Sequence, residues 1–231
     1  FFKQHRAKFE SDNDFLLIAI EHKQGIFNLP FLNKVDQLTK ELNGKVPHVL
    51  LVASITNQNE TLILPGGITV ASEVLNLTGS ASGVATLVSQ GGANAWNGTI
   101  NLSGTTNTIL PESDLVIGGN VVNAGTNLNV GLPASATTLR FNGIISGTGA
   151  FDKTGLSTVE FGAQNTYTGY TKVGVGILRL AINESIPNAG LMYLDGGEFQ
   201  TNGFTETIGT LHVTNHSQIT LGSGAHVLTF N

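Results

Sequence analysis

Residues 146–180 read SGTGAFDKTGLSTVEFGAQNTYTGYTKVGVGILRL, and their pattern decides the class of fold. Two short alternating runs, 157–161 and 172–180, flank a polar turn predicted at Asn165-Thr-Tyr-Thr-Gly169. In the first run Val159 and Phe161 share one parity against Ser157, Thr158 and Glu160. In the second, Val173, Val175 and Ile177 share a parity, and a slip at Ile177 hands the inward side to Leu178 and Leu180. Period-two alternation bounded by Gly and Asn predicts short, half-buried strands.

The chain repeats this pattern. Asn94-Ala-Trp96-Asn-Gly98-Thr-Ile-Asn-Leu102 matches Asn165-Thr-Tyr167-Thr-Gly169-Tyr-Thr-Lys-Val173, at an offset of 71 residues. Upstream, Ala85-Thr-Leu-Val matches Ser157-Thr-Val-Glu at an offset of 72. Such self-similarity predicts stacked rungs that bury their apolar faces on one another, with about three rungs in each 71 residues. Further strands are expected at 68–70, 74–77, 85–88, 99–102, 114–117, 127–130, 138–141, 192–194, 207–213, 218–221 and 227–230. No segment after Thr61 has a helical period that could serve as a crossover.

The expected architecture is therefore mainly β: a right-handed parallel β-helix (solenoid) preceded by a short N-terminal β-α-β segment. Inward positions take Val, Ile, Leu and Phe, and Gly supplies the corners. Charge stays low because like charges on neighbouring strands repel. The alternative is an antiparallel β-sandwich, which also uses many short strands.

Composition divides the chain in two. Residues 1–60 hold 14 charged residues and two Gly, whereas residues 61–231 hold 13 and 27. The first part, residues 1–60, reads as strand, helix, strand: the apolar run FLLIAI at 15–20, then Asn28 as N-cap with Pro30 in the first turn. Phe31, Leu32, Val35, Leu38 and Leu42 follow at helical spacing, Gly44 stops the helix, and VLLVASI at 49–55 forms the second strand. FESDNDFLLIAIEHKQGIFNLPFLNKVDQLTKELNGKVPHV and the following SITN resemble the start of the porter loop of resistance–nodulation–division (RND) exporters. The remaining porter elements do not follow Asn57, so this segment is expected to be a cap or a foreign junction.

The second part, residues 61–231, carries a more specific likeness. Gly147, Gly149, Lys153-Thr154-Gly155, Asn165–Gly169, Gly176, Leu178 and Leu180 resemble the autotransporter-associated β-strand repeat, also called the passenger-associated transport repeat. Tyr170 and Glu160 depart from its pattern without disturbing the alternation. The resemblance implies a cell-surface or secreted protein of bacterial outer membranes, with a repeat that assists translocation rather than catalysing a reaction. The alternative is an adhesin fragment, whose expected partners are surface glycans or the surface of a host or neighbouring cell. The absence of an initial Met and the strand-like ending at Leu228-Thr-Phe-Asn231 suggest a fragment truncated at its C-terminus.

Several function classes have little support. The net charge is −5 with 12% charged residues, leaving no basic field for nucleic acid. Cysteine is absent, which removes disulfides and thiolate metal sites. Apolar runs fall far short of the ~20 residues of a membrane helix. His212, His216 and His226 lack neighbouring carboxylates and make a poor metal site. Glu184, Asp195 and Glu198, with Arg179 nearby, could supply a glycosidase pair but read more simply as solvated turn residues. No cofactor is expected. Six Asn-x-Ser/Thr sequons (Asn59, Asn76, Asn97, Asn101, Asn183, Asn215) follow from a composition rich in Asn, Ser and Thr. Trp96, Tyr167 and Tyr170 are the candidate glycan contacts, with closure of rung corners as the plainer use of those rings.

Overall fold

A computed structural model describes residues 52–53, 61–79, 83–131 and 137–231. All but Val52–Ala53 of the expected β-α-β segment lies outside these residues. From Thr61 the chain winds as a β-solenoid of eight turns, and no helix occurs among the described residues. Each turn has three sides.

The first face stacks Thr61–Pro65, Ala85–Gln90, Thr106–Pro111, Asn127–Val130, Ala150–Lys153, Thr171–Val173, Met192–Asp195 and Leu211–Thr214. The second stacks Thr69–Val70, Asn94–Trp96, Leu115–Ile117, Thr138–Phe141, Thr158–Phe161, Ile177–Leu180, Glu198–Gln200 and Gln218–Thr220. The third holds Leu75–Gly79, Ile100–Gly104, Val121–Asn123 and Ile145–Gly147, then two irregular sides, then Glu206–Ile208 and Leu228–Phe230. All pairings among these strands are parallel, which excludes the antiparallel sandwich. One antiparallel pairing occurs, between Val52–Ala53 and Thr61–Pro65, and it covers the open edge of the first face.

The register runs unbroken along the stack. On the first face Thr61 partners Thr86, and the same column continues through Thr108, Asn129, Asp152, Lys172, Tyr193 and His212, at 19 to 25 residues per turn. The neighbouring inward column is Leu62, Leu87, Ile109, Val130, Lys153, Val173 and Leu194, ending on the exposed Val213. On the second face Val70, Trp96, Ile117, Phe141, Phe161 and Leu180 form another inward column. Each alternation read from the sequence thus becomes one row of a continuous apolar wall. Around its middle, Phe141, Phe151 and Phe161 meet edge to face with centroids 4.9 to 6.1 Å apart.

This register corrects the predicted phase of the repeat. Three turns on from Asn94, through Leu115 and Leu139, stands Val159 rather than Asn165. The 71-residue echo therefore spans three turns plus one face: it carries a second-face segment onto the third side. What the two segments share is corner chemistry. Asn94 Oδ1 accepts from the N–H of Ile68 at 2.8 Å, and Asn165 Oδ1 accepts from the N–H of Ile145 at 2.8 Å. In both places a buried amide pins the start of a side to the preceding turn.

The predicted turn at 165–169 is likewise a full side. Thr166 and Thr168 donate to the carbonyls of Ile145 and Gly147, each at 2.9 Å, so the segment runs beside the preceding rung as a parallel strand would. Tyr167 points inward from its middle and is 1% exposed. Gly169 forms the corner that follows, where a Cβ would strike the backbone of Gly149 and Ala150. The run 172–180 is two strands, Thr171–Val173 and Ile177–Leu180, because Gly176 turns the chain with φ +72. Val175 consequently sits exposed on that corner instead of facing inward. The stretch 207–213 divides in the same way, into Glu206–Ile208 and Leu211–Thr214.

Corners are held close by glycine. Gly98, Gly119 and Gly143 stack on successive turns, and a Cβ on any of them would fall onto the carbonyl of the residue one turn earlier. Gly119→Ala should therefore lower stability by about 1–3 kcal/mol, because the obstruction is backbone that cannot step aside. Urea unfolding monitored by circular dichroism measures this directly, and an unchanged midpoint would contradict so tight a stacking at that corner.

Candidate functional site

Outward positions are stacked as strictly as inward ones, and their electrostatics follow. On the second face Arg140, Glu160 and Arg179 occupy one column on three successive turns. Glu160 accepts from Arg179 Nε at 3.0 Å and Nη2 at 2.7 Å, and it pairs with Arg140 on its other side. Charges on neighbouring rungs alternate in sign, the arrangement that turns repulsion at strand spacing into attraction. Glu160, a departure from the repeat pattern, is thus the shared partner of two arginines.

The first face carries the second such array. Asp152, Lys172 and Tyr193 are consecutive rows of its outward column, and Lys172 Nζ reaches Asp195 Oδ2 at 2.9 Å. Asp195 also accepts from Thr214 Oγ1 at 2.8 Å and Asn215 Nδ2 at 2.5 Å. The hydrogen bond from Lys172, backed by those from Thr214 and Asn215, holds the Asp195 carboxyl down to about 2. Lys172 is raised by the same bond, while burial pushes Asp152 up. Beside these charges lies an aromatic stack. Tyr170 meets Tyr193 edge-on at 5.7 Å and 87°, and Tyr193 stacks on His212 at 5.1 Å and 17°. Tyr170, Lys172, Tyr193, Asp195 and Thr214 line a shallow recess of about 350 Å³.

The three aromatic residues singled out in the sequence do not come together. Trp96 is 6% exposed and sits in the inward column of the second face. Tyr167 fills the core below the third side, with its hydroxyl 2.6 Å from Thr171 Oγ1 and its ring 6.5 Å from Phe151. Burial removes both from contact with a glycan, because each ring completes an apolar column. Tyr170 alone stays at the surface, where it joins Tyr193 and His212 rather than Trp96 and Tyr167. Register was the missing signal: Tyr193 and His212 align with Lys172 only once the turn length is known.

The carboxylates considered for catalysis occupy different sides of the coil. Glu184 accepts from Thr207 on the third side, Asp195 belongs to the first face, and Glu198 pairs with Gln200 and Thr220 on the second. Arg179 is engaged with Glu160. Of the histidines, His212 stacks on Tyr193 and His226 Nε2 lies 3.2 Å from Thr201 Oγ1. Among the described residues no three His, Asp or Glu side chains converge as a metal site would require.

Besides Tyr167, Lys153 and Glu206 place ionisable groups inside the coil. Lys153 takes a place in the inward column between Val130 and Val173, and its ammonium caps the carbonyls of Gly155 and Val175 at the next corner. Burial pulls it down to about 8. Glu206 accepts from the N–H groups of Ser185 at 2.8 Å and Ile186 at 3.2 Å, and burial pushes it up to about 7. Neither has an opposite charge bonded to it.

Comparison with known proteins gives a partial likeness. The chain is 34% identical over 113 residues to the Adhesin BmaC autotransporter of Brucella suis biovar 1 (strain 1330), a match covering 46% of this chain. The chain spans 3% of the length of that curated relative. No family model and no solved structure matches the chain. The likeness and the β-solenoid together fit an autotransporter passenger-like repeat. The exporter resemblance of residues 1–57 gains no support from them. No helix among the described residues is long and apolar enough to cross a membrane.

The buried groups predict a stability profile with a minimum. Between pH 4.5 and about 7 the folded state keeps the proton on Glu206 while the unfolded chain has lost it, so stability falls as pH rises. From about 8 toward 10 the folded state gives up the Lys153 proton before the unfolded chain does, and stability rises. Above pH 10 the buried Tyr167, raised by desolvation, reverses the trend. Thermal melts from pH 4.5 to 10 should show both limbs. Glu206→Gln should flatten the first and Lys153→Met the second, and persistence of a limb in its variant would contradict that assignment.

Proposed function

We propose that the chain is a non-catalytic structural and translocation module from the passenger of a bacterial autotransporter-like surface protein. The observation that carries this is the partial identity to an autotransporter adhesin, found in a chain whose rungs stack without interruption. A solenoid of this kind suits a stalk. Each turn needs only its neighbours for stability, so length can be added turn by turn, and folding can begin at one end and propagate. Such propagation would serve passage across an outer membrane, since a chain delivered in extended form can add rungs as it emerges.

The surface chemistry supports the same reading. Outward charges are matched between rungs, as with Arg140, Glu160 and Arg179, and the buried polar groups are spent on pinning corners. Glu184, Asp195 and Glu198 are each occupied with hydrogen bonds on separate sides. The module accordingly belongs at the cell surface, either retained or released, with parent-protein anchoring at the outer membrane.

Antibody labelling of intact cells tests the location. Labelling before permeabilisation, removed by external protease, is the expected result. Signal that appears only after permeabilisation would contradict it.

A further inference from the structure

The outward column of the first face changes character along the solenoid. Its first four turns carry Thr61, Thr86, Thr108 and Asn129, small polar residues without rings or charges. From the fifth turn it becomes charged and then aromatic, with Asp152, Lys172, Tyr193 and His212. The fold does not demand this, since the same column is built without rings elsewhere in the coil. Tyr170, Tyr193 and His212 place one ring on each of three successive turns, beside the recess of about 350 Å³.

The chemistry around these rings narrows the ligand. Half-buried Tyr170 and Tyr193 and exposed His212 offer apolar area with a polar edge, which suits the C–H faces and hydroxyl rims of sugar rings. Lys172 donates, Asp195 accepts, and Thr214 does either, all on the same surface. Two carboxylates, Asp152 and Asp195, stand against one ammonium, so the strip disfavours sulfated or sialylated chains. Rungs repeat every ~4.8 Å, so a polymer lying along the axis passes one row of the strip at each step.

We propose that the Tyr170–Tyr193–His212 strip, with Lys172 and Asp195 at its side, binds an uncharged oligosaccharide aligned along the solenoid axis. This goes beyond the stalk reading and does not depend on it. The rings act as the platform, and the Lys172–Asp195 pair fixes the hydroxyls at its edge.

The test is saturation-transfer NMR and titration calorimetry on the whole chain with cellotetraose and N-acetylchitotetraose, against 3′-sialyllactose and a heparin tetrasaccharide. Transfer from at least one neutral sugar is expected, and Tyr193→Ala should weaken its binding by about tenfold or more, the scale of one lost aromatic platform. The variant's melting temperature should stay within about 4 °C of the parent, as expected for a surface change. If Tyr193→Ala unfolds the last turns, Tyr170→Ser on the preceding corner provides the second variant, with the same loss expected. Absence of transfer from every neutral sugar, preference for the anionic pair, or affinity unchanged in a folded variant would each overturn the proposal.

Discussion

In-register stacking of one turn on the next is the interaction on which everything else in this molecule depends. Parallel strands spaced ~4.8 Å apart repeat each side chain's environment from turn to turn. An inward position is therefore apolar along most or all of its column, as in Val70, Trp96, Ile117, Phe141, Phe161 and Leu180. An outward position must avoid a like charge on its neighbour, which Arg140, Glu160 and Arg179 achieve by alternation. Corners must bring backbone against backbone, and Gly98, Gly119 and Gly143 leave room for that. The low charge and high glycine content of residues 61–231 follow from this one constraint.

The class of fold was legible because alternation and corner residues are local properties. Asn127–Val130 and Thr138–Phe141 are read with their correct limits, since each is a clean alternation between turn formers. Phase was not legible. Turns of 19 to 26 residues let an echo at 71 slide from one face to the next, and only the pairing of Asn94 with Leu115, Leu139 and Val159 reveals the shift. Strands such as Thr106–Pro111 and Ala150–Lys153 escaped notice because Asn107 and Lys153 point inward where an apolar residue is expected. Both bond locally: Asn107 Nδ2 donates to Ser103 and Thr126 while its Oδ1 stays unpartnered, and the Lys153 ammonium reaches corner carbonyls.

The surface site shows the same division. Single aromatic residues stand out in a sequence poor in them, but whether a ring faces in or out depends on its column. Trp96 and Tyr167 turn inward to fill the coil, whereas Tyr170 stays outside and finds Tyr193 and His212 only through the register. A solenoid builds an extended surface from residues about twenty positions apart, so its sites are invisible to any local motif.

The rise per turn is the defining dimension of a parallel, in-register solenoid, and double electron–electron resonance measures it. The chain has no cysteine, so engineered pairs label cleanly. With one nitroxide at Thr61 and the other at Lys172, Tyr193 or His212, the partners lie five, six and seven turns along one outward column. Mean distances should rise in steps of ~4.8 Å, near 24, 29 and 34 Å. A series that fails to lengthen from Lys172 to His212 would contradict the parallel, in-register solenoid.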